Sequence, residues 1–142
     1  MFSGEFEYRI DDKGRVPLPP RFRRELEDGL VLSLGQDGCI TAYPVAEWEK
    51  IAGKLSANGS LEPAKMRRLK RAIFATAFPT NMDGQGRIAL PAKLREYAGI
   101  ESDIVVVGVN NNLELWSTEN WKKELSSDLE QAWQIIESME NR

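Results

Sequence analysis

A chain of 142 residues with no histidine lacks both the commonest general base and the commonest transition-metal ligand. Its 42% hydrophobic and 29% charged residues are ordinary for a globular protein, and no apolar run approaches the roughly 18 residues that a membrane span requires. A net charge of −3 and a pI near 5.2 argue mildly against a polyanion partner, yet the average conceals a gradient: residues 9–24 hold six Lys/Arg against two Asp, whereas residues 119–142 hold six Asp/Glu against three Lys/Arg.

Phe2, Phe6, Tyr8 and Ile10 alternate with polar residues, the period-two pattern of a half-buried strand. Asp12-Lys13-Gly14 predicts a turn, residues 15–18 a short strand, and Pro19-Pro20 its end. Pro20 then opens a short helix with Phe22 and Leu26 on one face, closed by Asp28-Gly29. Residues 30–34 and 39–43 form a predicted hairpin across Gly35-Gln36-Asp37-Gly38. The next helix carries Val45, Trp48, Ile51, Ala52 and Leu55 on one stripe. Residues 56–60 are a polar linker, followed by a helix over residues 61–75 with Ser60 as N-cap, Pro63 in its first turn and Met66, Leu69 and Ile73 as its apolar stripe.

The plan then repeats: an extended segment over 78–82, a turn over 83–86, a strand over 87–90 and a helix over 91–98. A hairpin joins 103–109 to 113–116 across Asn110, Asn111 and Asn112. The last helix starts near Thr118 and carries Trp121, Leu125, Leu129, Ala132, Ile136 and Met139. That stripe is longer than one half needs and suits either the joint between halves or a neighbouring chain.

The repetition is literal. Ile10-Asp11-Asp12-Lys13-Gly14-Arg15-Val16-Pro17-Leu18-Pro19 returns 72 residues later as Met82-Asp83-Gly84-Gln85-Gly86-Arg87-Ile88-Ala89-Leu90-Pro91. Phe22-Arg23 matches Leu94-Arg95 at the same offset, and Tyr43 and Trp48 match Trp116 and Trp121 one residue further on. Two copies of one supersecondary unit are therefore expected. Each is short for a core of its own, so the halves should bury their apolar faces against each other. The division predicted is a first half over 1–56, a linker and basic helix over 57–77, a second half over 78–125 and a helical extension over 126–142.

The shared motif is Asp-x-x-x-Arg. It has a purely structural reading, in which Asp11 and Asp83 initiate turns and Gly14 and Gly86 supply their geometry. It also has a functional one, in which each Asp braces its Arg at a hairpin tip. A preorganised guanidinium fork loses less entropy on bidentate contact with a phosphate or a guanine edge. Lys13, Arg21, Arg23 and Arg24 would add phosphate contacts around the first tip, and Lys93 and Arg95 around the second. Gln85 stands where the first copy has Lys13, so the first tip should give more non-specific phosphate affinity.

These motifs resemble those of the MraZ family. Met1-Phe2-x-Gly4, Asp11-x-Lys13-Gly14-Arg15 with Pro19 and Arg23, Tyr43-Pro44-x-x-x-Trp48, Asp83-Gly84-x-Gly86-Arg87 with Leu94-Arg95, and Val107-Gly108-x-x-Asn111-x-Leu113-Glu114-Leu115-Trp116 occur in order, across about residues 1–125. MraZ proteins are bacterial tandem SpoVT-AbrB-type regulators of the division and cell-wall gene cluster. The resemblance implies an α+β fold, a pseudo-twofold swapped-hairpin β-barrel flanked by helices. It also implies a ring-shaped homo-oligomer that binds double-stranded DNA at G-rich tandem promoter repeats of its own operon and represses it. Asp11, Arg15, Asp83 and Arg87 would lie on the DNA-binding surface.

Other features admit plainer readings. Lys65-Met66-Arg67-Arg68-Leu69-Lys70-Arg71 is either a solvated helix face, which an acidic neighbouring subunit would pair, or a second DNA contact. The four tryptophans fall at core or interface positions, and Asp83-Gly84-Gln85-Gly86-Arg87 lacks the Lys-Ser/Thr of a nucleotide loop. Cys39 is single, which excludes an internal disulfide and fits a reducing cytosol, and it reads as a small buried hydrophobe. Met1-Phe2-Ser3-Gly4-Glu5 does not resemble a secretory signal. The expectation is a cytoplasmic, nucleoid-associated regulator, not an enzyme, with no cofactor, no metal and no membrane partner. The alternative is an oligomeric scaffold whose basic tips bind an acidic protein.

Overall fold

The computed structural model describes residues 1–57, 59 and 61–141. Eight strands and four helices follow in the order β1 (Glu5–Arg9), β2 (Arg15–Pro17), β3 (Leu30–Leu34), β4 (Ile40–Pro44), α1 (Val45–Ala57), α2 (Pro63–Ala75), β5 (Phe78–Thr80), β6 (Arg87–Ala89), α3 (Ala92–Ala98), β7 (Asp103–Val109), β8 (Asn112–Ser117) and α4 (Thr118–Glu140). Six strands form an antiparallel sheet ordered β1-β7-β8-β4-β3-β5, and β2 pairs β6 as a separate two-stranded sheet.

That order is a palindrome of the repeat. Exchanging β1 with β5, β3 with β7 and β4 with β8 reverses the list without changing the pairings, so a pseudo-twofold relates the copies. The first strand of each copy pairs in the other, β1 on β7 and β5 on β3. The β2–β6 ladder also crosses between copies, placing Val16 opposite Ile88 with both buried. The expected α+β class and swapped hairpins are therefore present. The barrel, however, is not closed: the large sheet stays open, with β1 and β5 as its edges.

One core cluster draws on both copies, including Val16, Leu18, Phe22 and Leu26 from the first and Ile88, Leu90, Leu94 and Ala98 from the second. The halves therefore bury their apolar faces against each other, since the short β2 and β6 could not cover a core separately. The opposite face of the sheet carries a smaller cluster of Cys39, Val105, Val107 and Trp116, with Trp121 against it. Partial enclosure there pushes the Cys39 thiol up to about 12, with the Glu114 charge adding to the rise.

Several local expectations change. The first strand is predicted from Phe2, but Gly4 at φ +92° bends the chain and the ladder starts at Glu5. Phe2 keeps one bridge, to Asn110. The short first helix is two 3-10 turns, Pro20–Phe22 and Arg24–Leu26, where the second copy has the α-helical α3 ended by Gly99 in the left-handed region. Phe22, bulkier than its counterpart Leu94, is wedged edge-on against Phe2 and Phe6 at ring separations of 5.1 and 5.4 Å. In the hairpin of three asparagines, Asn110 takes φ +66°, a conformation its short polar side chain tolerates.

The predicted stripe of α1 holds, with Val45, Trp48, Ile51, Ala52 and Leu55 all half-buried. The helix extends to Ala57, two residues into the expected linker. The proposed N-cap Ser60 lies outside the described residues; α2 begins with Glu62 at its N-cap and Pro63 in the first turn. The single helix α4 is capped by Ser117, whose hydroxyl accepts the Asn120 N–H at 3.1 Å. Trp116 is buried and Trp48 and Trp121 half-buried, but Trp133 is 73% exposed and belongs to no core of this chain.

Candidate nucleic-acid interface

Each Asp-x-x-x-Arg segment folds into a tight turn for a local reason. The Asp11 backbone N–H donates to the Arg15 carbonyl at 3.0 Å, and the Gly14 N–H donates to the Asp11 carbonyl at 3.0 Å. The second copy repeats both bonds, from Asp83 to Arg87 at 2.8 Å and from Gly86 to Asp83 at 3.0 Å. Gly14 and Gly86 both sit at φ +74°, a region that penalises any Cβ.

The carboxylates divide their work between the two readings of the motif. Asp11 Oδ1 accepts the backbone N–H groups of Lys13 and Arg15, each at 2.9 Å, and Oδ2 accepts Arg15 Nε at 2.8 Å. Asp83 Oδ1 likewise accepts Gln85 and Arg87 N–H at 2.9 and 3.0 Å, and Oδ2 takes Arg87 Nε at 2.8 Å. One oxygen therefore shapes the turn while the other braces the arginine. The backbone bond from Arg15 is the largest cause holding the Asp11 carboxyl below its ordinary range, and the Arg87 backbone does the same at Asp83.

The fold brings the two tips together. Arg87 Nη1 lies 3.9 Å from Asp11 Oδ2, so Asp11 sits between its own arginine and that of the other copy. The crossing is held by reciprocal backbone bonds, Leu18 N–H to Gly86 carbonyl and Leu90 N–H to Gly14 carbonyl, both 2.9 Å. Among the described residues, the terminal guanidinium nitrogens of Arg15 and Arg87 make no hydrogen bond. Both forks are anchored at Nε and open beyond it, on side chains 30% and 25% exposed.

The remaining predicted basic residues fall into two groups. Lys13 and Lys93 are exposed, without an ion pair among the described residues. Arg21, Arg23 and Arg95 are already engaged. Arg21 Nη2 donates to the Ser3 carbonyl at 2.5 Å, and its guanidinium carbon lies 5.1 and 5.2 Å from the Phe6 and Phe22 ring centroids. Arg23 Nε donates to the Leu18 carbonyl at 2.9 Å and lies against Gly86 of the other tip. Arg95 Nε donates to the Leu90 carbonyl at 3.0 Å and lies against Gly14.

Each copy's arginine therefore packs on the other copy's turn glycine. Sequence reasoning missed this role for Gly14 and Gly86, although the common offset of the two glycines and two arginines was its signal.

The duplicated tip has a counterpart in a family model. The model described as "MraZ protein, putative antitoxin-like" matches residues 1–72 and again 73–138. The chain belongs to the MraZ family. It is 54% identical to a transcriptional regulator MraZ of Dehalococcoides mccartyi over 99% of both chains. It is 46% identical to the transcriptional regulator MraZ of Thermomicrobium roseum, covering 85% of this chain and 84% of the relative. A third MraZ regulator, from Herpetosiphon aurantiacus, is 40% identical over 96% of this chain and 95% of its own length. The two family matches meet at residues 72 and 73, within α2, so each MraZ match contains one tip. Among the described residues, no helix is long and apolar enough to cross a membrane.

Proposed function

We propose that this chain is a DNA-binding transcriptional regulator that reads base edges with Arg15 and Arg87 while Asp11 and Asp83 hold the two forks. The observation that carries the reading is the joined pair of tips, each with an anchored Nε and open terminal nitrogens, 3.9 Å apart through Arg87 and Asp11. Preorganisation lowers the entropy cost of binding, and a guanidinium fork matches guanine O6 and N7 bidentately. Lys13 and Lys93 supply phosphate contacts, with Arg21, Arg23 and Arg95 contributing through nitrogens not already bonded. The lysine at position 13, against Gln85, makes the first tip the stronger for non-specific affinity.

Its targets in this reading are short G-rich tandem repeats before its own division and cell-wall gene cluster, which it represses from the nucleoid. A ring of identical subunits presents equally spaced tips to such an array, so weak individual contacts gain by effective concentration. The relatives' names and the motif resemblance support this assignment. The first and second halves, the basic linker helix and the C-terminal extension then act as two readers, a connector and an outlying helix.

The test is binding of the purified chain to promoter DNA after Arg15→Ala and, separately, Arg87→Ala. Each loses a contact of the class that discriminates bases by about 1–3 kcal/mol, so affinity should fall at least about tenfold with assembly mass unchanged. Wild-type affinity in both single variants refutes the role. Recovery of an acidic protein in nuclease-treated pull-downs, with no DNA in untreated ones, would support the scaffold reading instead.

A further inference from the structure

Two helices carry opposite charge that this chain does not use. Within α2, Lys65, Arg67, Arg68, Lys70 and Arg71 are all exposed, no acidic residue interrupts them, and none is in an ion pair among the described residues. The apolar edge of α2, Leu69 and Ile73, borders a groove with Trp48 and Ile51 of α1, and Phe74 stands 40% exposed beside it. Residues 124–140 of α4 hold five Asp/Glu and no Lys/Arg. Their apolar residues are uncovered, with Leu129 61%, Trp133 73%, Ile136 42% and Met139 67% exposed. Glu124 is pushed up by partial burial and by the charges of Asp128, Asp37 and Glu114, a sign of acid left without a counter-charge.

Leu129, Trp133 and Ile136 share a helix face by their spacing of four and three. A stripe of that size in water calls for a partner. Pairing α4 with another α4 would set five acids against five; pairing it with α2 matches acid to base and apolar to apolar.

We infer that the 126–140 stretch of α4 from one copy docks on the α1–α2 groove of a second copy. Leu129, Trp133 and Ile136 cover the groove, and Glu130, Glu137 and Glu140 face Arg67, Arg68 and Arg71. The contact is head-to-tail, the kind that propagates until it closes. It rests on the self-assembly part of the preceding reading, identifies the surfaces that make it, and assigns the basic helix to a neighbouring subunit and not to DNA.

The experiment is a charge swap read by light scattering after gel filtration, with circular dichroism checking helix content. Arg67→Glu/Arg68→Glu/Arg71→Glu should run as monomer, and so should Glu130→Lys/Glu137→Lys/Glu140→Lys. Mixing the two variants should restore the wild-type mass, because each then offers the surface the other lacks. Assembly of the α2 variant at wild-type mass, or failure of the mixture to reassemble, overturns the proposed contact while leaving self-assembly intact. A monomeric wild type overturns both. Unchanged assembly with weakened binding to a single-repeat duplex would return α2 to DNA and also overturn it.

Discussion

Gly14 and Gly86 share φ +74°, yet their surroundings differ. A Cβ on Gly14 would meet the Arg95 guanidinium carbon at 3.3 Å, whereas on Gly86 it would press into Arg23, which its bond to Leu18 holds in place. Left-handed backbone costs a non-glycine residue about 1–2 kcal/mol. Gly14→Ala should therefore destabilise by about that much and Gly86→Ala by clearly more, as measured by denaturant unfolding. Equal losses would remove Arg23 as the cause.

The braced aspartates also set a pH limit. Their carboxyls lie below the ordinary value of 3.8, so their contribution is present above that value and lost as pH falls through the lower folded one. With no histidine in the chain, DNA binding should be flat between about pH 6 and pH 7. A titration inflection in that interval would contradict it. At this scale the Asp–Arg bracing was legible in the sequence, because both partners lie four residues apart in one turn. The engagement of Arg21, Arg23 and Arg95 was not, since their partners are backbone carbonyls and a turn brought near by folding.

Among the elements, β2 and β6 are three residues each and hold the two copies together. Ile88 is 1% exposed in a core shared by both copies. Ile88→Ala should cost about 2–5 kcal/mol, and unfolding should remain one transition seen alike by tryptophan fluorescence and circular dichroism. Two separated transitions would show that the halves fold independently. The apolar periodicity of α1 was readable from its spacing, and so were the β7–β8 hairpin and its asparagine turn. The early end of β1 was not, because Gly4 bends the chain where the Phe2–Ser3 backbone passes closely over Gly108, a long-range contact. The same holds for the 3-10 turns at residues 20–26, which differ from α3 where Phe22 meets Phe2 and Phe6.

For the whole molecule, the joined tips offer one small basic surface on an acidic chain. Affinity for a promoter array should drop by about a hundredfold or more between low and physiological salt, because each phosphate contact releases counterions. An isolated repeat should bind at least about tenfold more weakly than the array. Equal affinity for one repeat and for the array, measured by fluorescence anisotropy, would rule out the multivalent account.

Local order, the tandem copies and the arginines braced within each turn follow from residues near one another in the chain, where spacing alone dictates geometry. The exchange of strands, the open sheet, the approach of Arg87 to Asp11 and the seating of Arg23 and Arg95 on opposite glycines join residues about 70 positions apart. A repeat announces two units but leaves their mutual pairing to be decided. Short strands that could not bury a core separately decided it, by crossing into each other.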